Sequence, residues 1–443
     1  MAQSNLILLL YAPRQSERLS YTVPILFDVL VGIPCKVTNN LDVFIQYQGP
    51  RIAYADTSPV PGILSFPDSG LLWETGIRPI ALEAVTVEDL PALFPIATTR
   101  HTWPFDLPAM AFFLLSRYEE YLPFQPDAHG RFPAAFSAAH RFGFLELPIL
   151  HQWADRVRMQ LRNNYSNINF TPPKFSSQLT YDIDQAWAFK HKGWIRQTGG
   201  ALNELLHGKT GLFKARLQTL AGMQRDPFDT FSYLERCAGQ SEQAPLFFFL
   251  LGDSSPFDPN LSHRNPALRS LIKRLAGKYQ HGIHPSYNST ENEKLLKMEI
   301  ARLADITGGP VLHSRQHYLR LKFPQTYRSL LDHGIAHDYT LGFADAVGFR
   351  AGIATPFPWY DLSSEQITSL TLHPFQVMDV TLKDYLGFRP EEAMAKIGAL
   401  QSALRATGGA FSALWHNSSF SDAHGWSGWS AVHEMAIGSQ SSR

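Results

Sequence analysis

From residue 175 onward the chain alternates strand-like and helix-like segments, and this rhythm constrains the fold more than any other feature of the sequence. Strand patterns stand at 175–180, 246–251, 282–284, 311–312, 336–339, 375–380 and 410–415. Helical patterns separate several of them, at 266–278, 291–306 and 390–406. Strands spaced by helices predict a parallel α/β sheet, open or closed into a barrel. In either form the chemistry belongs at the C-terminal ends of the strands.

Residues 1–170 have a different texture and read as a separate, smaller α/β unit. The apolar run 5–11 is expected as a first buried strand, since it lacks the basic flank and cleavage site of a signal peptide. Residues 21–30 follow a helical pattern. Short strands are expected at 43–47, 52–54 and 62–66, punctuated by Pro and Gly. A helix is expected over 105–121, stopped by Pro123, and another over 147–161. The loop Asp127-Ala128-His129-Gly130-Arg131-Phe132 carries groups that could reach a ligand, although its composition is that of a hydrogen-bonded surface turn. The polar, Pro-marked stretch 163–173 is the expected boundary, dividing 1–170 from 175–443.

Composition narrows the function classes. Lys+Arg and Asp+Glu balance at 39 each, which gives no electrostatic case for nucleic acid or an anionic membrane. Cys35 and Cys237 are the only cysteines, so neither a disulfide framework nor a Cys-based zinc site is expected. No apolar run is long enough to span a bilayer, and the expected location is the cytoplasm.

The stretch Leu179-Thr180-Tyr181-Asp182-Ile183-Asp184 carries the first chemistry. Two acids two residues apart on a strand share one face. Among apolar neighbours their burial is costly unless positive charge sits beside them, and a divalent metal would supply it. The plainer reading is a strand end with a capping Asp. Later strand ends repeat the pattern: His284 with Pro285 and Ser286, Arg315 to Tyr318, His337 and Asp338, His373, and Trp415-His416-Asn417. A lone His there is usually structural, but His, Asp and Arg at successive strand ends would be gathered on one rim.

On these residues, about 175–425 resembles the polysaccharide deacetylases, or NodB-homology carbohydrate esterases, of the longer bacterial type with an extra N-terminal domain. The resemblance implies a distorted (β/α) barrel of about seven parallel strands, preceded by a smaller α/β domain of unknown role. Thr180-Tyr181-Asp182-Ile183-Asp184 resembles the family's first motif, which implies that Asp182 is the base and Asp184 a metal ligand. His284 matches the first His of its His-Ser/Thr-x-x-His motif, but Asn288 stands where the second would be. Asn is a poor zinc ligand, so a third ligand must come from elsewhere, and His317 is the candidate. Arg315-Gln316-His317-Tyr318 is similar to Arg-x-Pro-Tyr, with Arg315 orienting the base and the backbone near Tyr318 helping to hold an oxyanion. Leu414-Trp415-His416-Asn417 is similar to the last motif, with His416 as general acid; His373 is the runner-up. Tyr318, Trp415 and Asn417 are the expected substrate contacts, and Trp359, Trp426 and Trp429 are further aromatics for stacking on sugar.

The implied activity is metal-dependent removal of N-acetyl groups from a sugar of a cell-surface polysaccharide or its precursor, with zinc the expected metal. Two alternatives stand beside it: a hydrolase of another C–N bond such as a cyclic amide, and a non-catalytic descendant that binds carbohydrate or a partner protein, motivated by Asn288.

Overall fold

The computed structural model describes residues 6–98, 100–240 and 243–438. Asn5, at the head of the expected first strand, and residues 439–443 lie outside them.

The first part of the chain builds a four-stranded parallel sheet, ordered β2-β1-β3-β4, from β1 (Leu8–Tyr11), β2 (Cys35–Thr38), β3 (Arg51–Tyr54) and β4 (Ser65–Phe66). An antiparallel hairpin follows, β5 (Ala84–Val87) with β6 (Leu90–Leu93). The helix Leu107–Leu115 is buried on all sides, as its unbroken apolar sequence requires. One expectation fails here: 43–47 is not a strand but part of the helix Leu41–Gln46. The Asn40 side chain accepts from the Val43 N–H and starts the helix, and a short run with β-branched residues cannot outweigh that cap.

The second part builds one nine-stranded sheet, ordered β12-β13-β11-β10-β9-β8-β7-β15-β14. Its members are β7 (Phe175–Ile183), β8 (Leu246–Leu250), β9 (Gln280–His284), β10 (His313–Ser314), β11 (His337–Asp338), β12 (Phe357–Asp361), β13 (Gln366–Leu372), β14 (Val377–Met378) and β15 (Gly409–His416). Neighbours pair in parallel except β12 with β13, an antiparallel hairpin absent from the sequence reading. The ladder gives an order with two ends and does not by itself show a closed ring. The run Leu-Phe-Phe-Phe-Leu of β8 is wholly buried, as a central parallel strand covered on both faces must be. Gly282 lets β9 approach β10: a Cβ there would stand 2.5 Å from the His313 carbonyl oxygen.

Register aligns the strand ends. His416 stands level with Asp182, Leu250 with His284, and Ser314 with Ile283. The two large sheets share no strand among the described residues. Their cores are nevertheless continuous. Tyr21 and Phe112 pack on Tyr360 of β12, at ring separations of 4.9 and 5.3 Å. Buried Glu120 accepts from Arg117 of the first part and Arg350 of the second, at 2.8 and 2.5 Å.

Candidate functional site

Asp182 is the penultimate residue of β7 and is buried. Its Oδ1 accepts from Arg315 Nη1 at 3.1 Å. Arg315 is itself fully buried. It donates to Thr180 Oγ1 and the Tyr339 carbonyl, and its guanidinium lies over the Phe248 ring at 4.7 Å. A buried guanidinium held at this many points gives the Asp182 carboxylate one orientation.

Asp184 follows β7 directly and faces three imidazoles. Its carboxylate oxygens lie 3.2 Å from His284 Nε2, 3.5 Å from His317 Nε2 and 3.7 Å from His416 Nε2. Burial pushes its carboxyl upward, but His317, His284 and His416 outweigh that and hold it well below the usual carboxylate range.

The tautomers follow from the partners. His284 Nδ1 lies 2.6 Å from the Arg315 carbonyl, which can only accept, so Nδ1 carries the proton. His317 Nδ1 likewise donates to Asp258 Oδ1 at 2.9 Å. Asp258 is fixed by the Ser255 hydroxyl and the Tyr287 N–H. Asp184, His284 and His317 together offer three ligand atoms within 4.8 Å of one another. His284 Nε2 and Asp184 Oδ1 are buried without hydrogen-bond partners, and Nε2 faces Asp182 Oδ2 as well, at 3.7 Å. One carboxylate and two imidazoles oriented through their far nitrogens fit a divalent-cation site, and a cation between them would satisfy both orphaned atoms. Asn288 lies exposed on the one-turn helix Tyr287–Glu291, outside this group.

His416 ends β15. Its Nδ1 contacts Asp379 Oδ1 at 2.8 Å, and its backbone N–H donates to Asp379 Oδ2 at 2.7 Å. Burial pulls this imidazole down, but Asp379, Asp184 and Asp182 outweigh that and raise its pKa to about 10. The opening is a cavity of about 230 Å³. Asp182, Asp184, His284, His317 and His416 form its polar wall, and Leu319, Met378 and Leu414 an apolar one. Tyr318 lines it on a left-handed turn, φ 59°, which is strained for a non-glycine residue.

Several sequence expectations are corrected by this geometry. Trp415 lies outside the cavity wall. Leu414 and His416 point into it, so strand alternation turns Trp415 to the other side, buried against His433 at 5.3 Å. Asn417 gives its amide to the Gln185 and Phe228 carbonyls and braces the rim. Trp359, Trp426 and Trp429 are buried. His373 belongs to the opposite end of the sheet, stacked on Tyr339 at 4.2 Å and 3.1 Å from His337. The 127–132 loop is a hydrogen-bonded turn in which Asp127 accepts from the His129 and Arg131 N–H groups, and its Arg131 also lines the cavity, donating to the Tyr318 carbonyl and the Tyr385 hydroxyl. Asp258 and Asp379 were not among the sequence candidates. Asp379 directly follows β14, where a strand-end search could have found it, whereas Asp258 sits mid-loop with no local signal.

Residues 8–166 match a family described as a family of unknown function, DUF7033. No curated protein sequence matches the chain. Among solved structures, the chain is similar to a protein of Mycobacterium smegmatis provisionally assigned as a polysaccharide deacetylase, at 16% identity and a TM-score of 0.36 over 61% of this chain and 85% of that one. It is also similar to a polysaccharide deacetylase of Bacillus cereus, at 12% identity and a TM-score of 0.26 over 59% and 86%.

Proposed function

We propose that the protein is a metal-dependent hydrolase that removes N-acetyl groups from a sugar of a cell-surface polysaccharide or its precursor. The observation that carries this reading is the juxtaposition in one cavity of three elements: the Asp184–His284–His317 donor set, the Arg315-held carboxylate of Asp182, and the Asp379-held imidazole of His416. The motif order noted in the sequence supports the substrate class.

Asp184, His284 and His317 would hold the cation, zinc by the donor chemistry, whose charge would polarise an acyl carbonyl. Asp182 accepts the proton of the attacking water, with Arg315 keeping its carboxylate aimed. His416 is protonated at neutral pH and gives its Nε2 proton to the departing amine, while Asp379 stabilises the imidazolium. The backbone turn at Tyr318 and the apolar wall of Leu319, Met378 and Leu414 line the cavity where the acyl group would sit. The non-catalytic alternative rested on Asn288. His317 supports the hydrolase reading over it, as a third possible donor that does not depend on that residue.

The test is acetate release from N-acetylglucosamine oligomers by zinc-loaded protein. Asp182→Asn should lower kcat by about 10²–10⁴-fold while zinc stoichiometry stays at one. Undiminished turnover in Asp182→Asn removes the base from the mechanism. Absence of bound zinc in the unmutated protein at excess metal removes the hydrolase reading.

A further inference from the structure

The chain leaves the catalytic rim after Asp184 and, before β8, forms a helical hairpin from Trp194–Leu206 and Thr210–Leu220. On its inner side Ala215 packs against Phe189 and Phe228, and a buried polar pair stands beside them: Arg216 and Glu204 form a two-point ion pair at 2.7 and 2.9 Å, each only 7% exposed, and Arg216 also donates to Gln197. The guanidinium packs closely on the first helix, where a Cβ at Gly200 would stand 2.5 Å from it.

The outside is apolar. Trp194, Ile195, Leu202, Leu205 and Leu206 are exposed and, at about 100° per residue, fall within one arc of about 120°. Trp194 is 76% and Leu206 74% exposed. The second helix adds exposed Leu217 and Leu220, and the turn beyond it Met223, 77% exposed. Scattered surface leucines need no explanation, but a contiguous stripe on the side away from the core does.

Charge says what covers it. Residues 190–225 contain seven Lys and Arg and a single acid, Glu204, which is buried in the ion pair. Arg196, Lys209, Lys214 and Arg225 are exposed beside the apolar stripe. The chain as a whole has zero net charge, so this is a local excess. An apolar face bearing Trp and Leu, flanked by bases, fits the boundary between acyl chains and anionic headgroups. A second copy seated on the same face would set base against base.

We propose that the hairpin 194–223 docks this protein on an anionic lipid surface. Arg196 ties the hairpin to the Asn260 carbonyl, two residues from Asp258, so the docking face and the cavity belong to the same end of the sheet. The docking does not rest on the hydrolase reading, and binding is measured without substrate.

The experiment is flotation of the full chain with vesicles of phosphatidylcholine alone and of phosphatidylcholine with phosphatidylglycerol, with oligomeric state followed by sedimentation. Binding should be at least about tenfold tighter to the anionic vesicles and weaken with salt. Trp194→Ser with Leu206→Ser, at positions too exposed to carry the fold, should lose binding at unchanged melting temperature. Lys209→Glu with Lys214→Glu should lose the preference for anionic lipid. Equal binding to both vesicle types, or full binding by the Trp194→Ser/Leu206→Ser protein, overturns the proposal. So does a dimer in solution that the same two substitutions dissociate, because a second copy would then be the occupant.

Discussion

His317 is aimed by Asp258, and the two behave as one unit. Burial lowers the imidazole's pKa, but the Asp184 and Asp258 carboxylates outweigh it and raise it to about 9. A cation entering at neutral pH therefore displaces a proton from His317, so apparent metal affinity should climb with pH and level off near 9. Titration with zinc across that range, with proton release measured in parallel, checks this. Asp258→Asn keeps the shape but loses the charge, and should weaken zinc binding about 10–100-fold. His317→Ala should lower occupancy as much as His284→Ala does. Full occupancy in His317→Ala ends the ligand role and leaves the Asp258 contact as its only bond.

At the scale of the element, β15 delivers His416 to the cavity, and the residue after β14 decides its charge. Asp379, with smaller contributions from Asp184 and Asp182, raises His416 to about 10, and a group raised in this way keeps its proton until pH passes the raised value. The alkaline limb of kcat should therefore lie above the ordinary histidine range in the native protein. In Asp379→Asn it should move toward the ordinary histidine range, with KM changed less than kcat. A pH–rate profile with an unmoved alkaline limb would take His416 out of the acid role. The same strand shows how narrow the phase information is. A one-residue step separates His416, in the cavity, from Trp415, buried behind it.

Across the whole molecule, Glu120 joins the two parts of the chain. It lies between the guanidiniums of Arg117 and Arg350, and all three are buried. Burial pushes the Glu120 carboxyl up, but the two arginines outweigh it and its pKa is lowered from 4.5. A carboxylate with a lowered folded-state value contributes stability that is present above 4.5 and lost as pH falls through the folded value. Glu120→Gln leaves two buried cations facing each other and should cost about 3–5 kcal/mol in urea unfolding at neutral pH. That difference should shrink as pH falls below 4.5, where the unfolded chain's carboxyl takes up a proton that the native one accepts only at lower pH. If both parts of the chain are held by this bridge, the native protein unfolds in one transition. Two separate transitions, with only one moved by Glu120→Gln, would mean that the parts are independent in stability.

What the sequence determined by itself is what local periodicity can encode. The parallel rhythm after residue 175, the buried phenylalanine run of β8, the acids at the end of β7 and the histidines at later strand ends were all legible. Each depends on side-chain spacing along a few residues. The donor set was legible in part: the mismatch at Asn288 pointed to a missing ligand, and His317 lay within reach along the chain. The two-residue strands β10 and β11 were only approximately legible, because so short a ladder has almost no periodic signal. Tertiary structure alone decided which carboxylates hold the imidazoles, since Asp258 is 59 residues from His317 and Asp379 is 37 from His416. It also decided that Arg131 of the first part reaches the cavity, and that the hairpin turns its leucines outward. These outcomes depend on which groups meet through space when two sheets share a core, and a buried charge takes the partner that the fold brings to it.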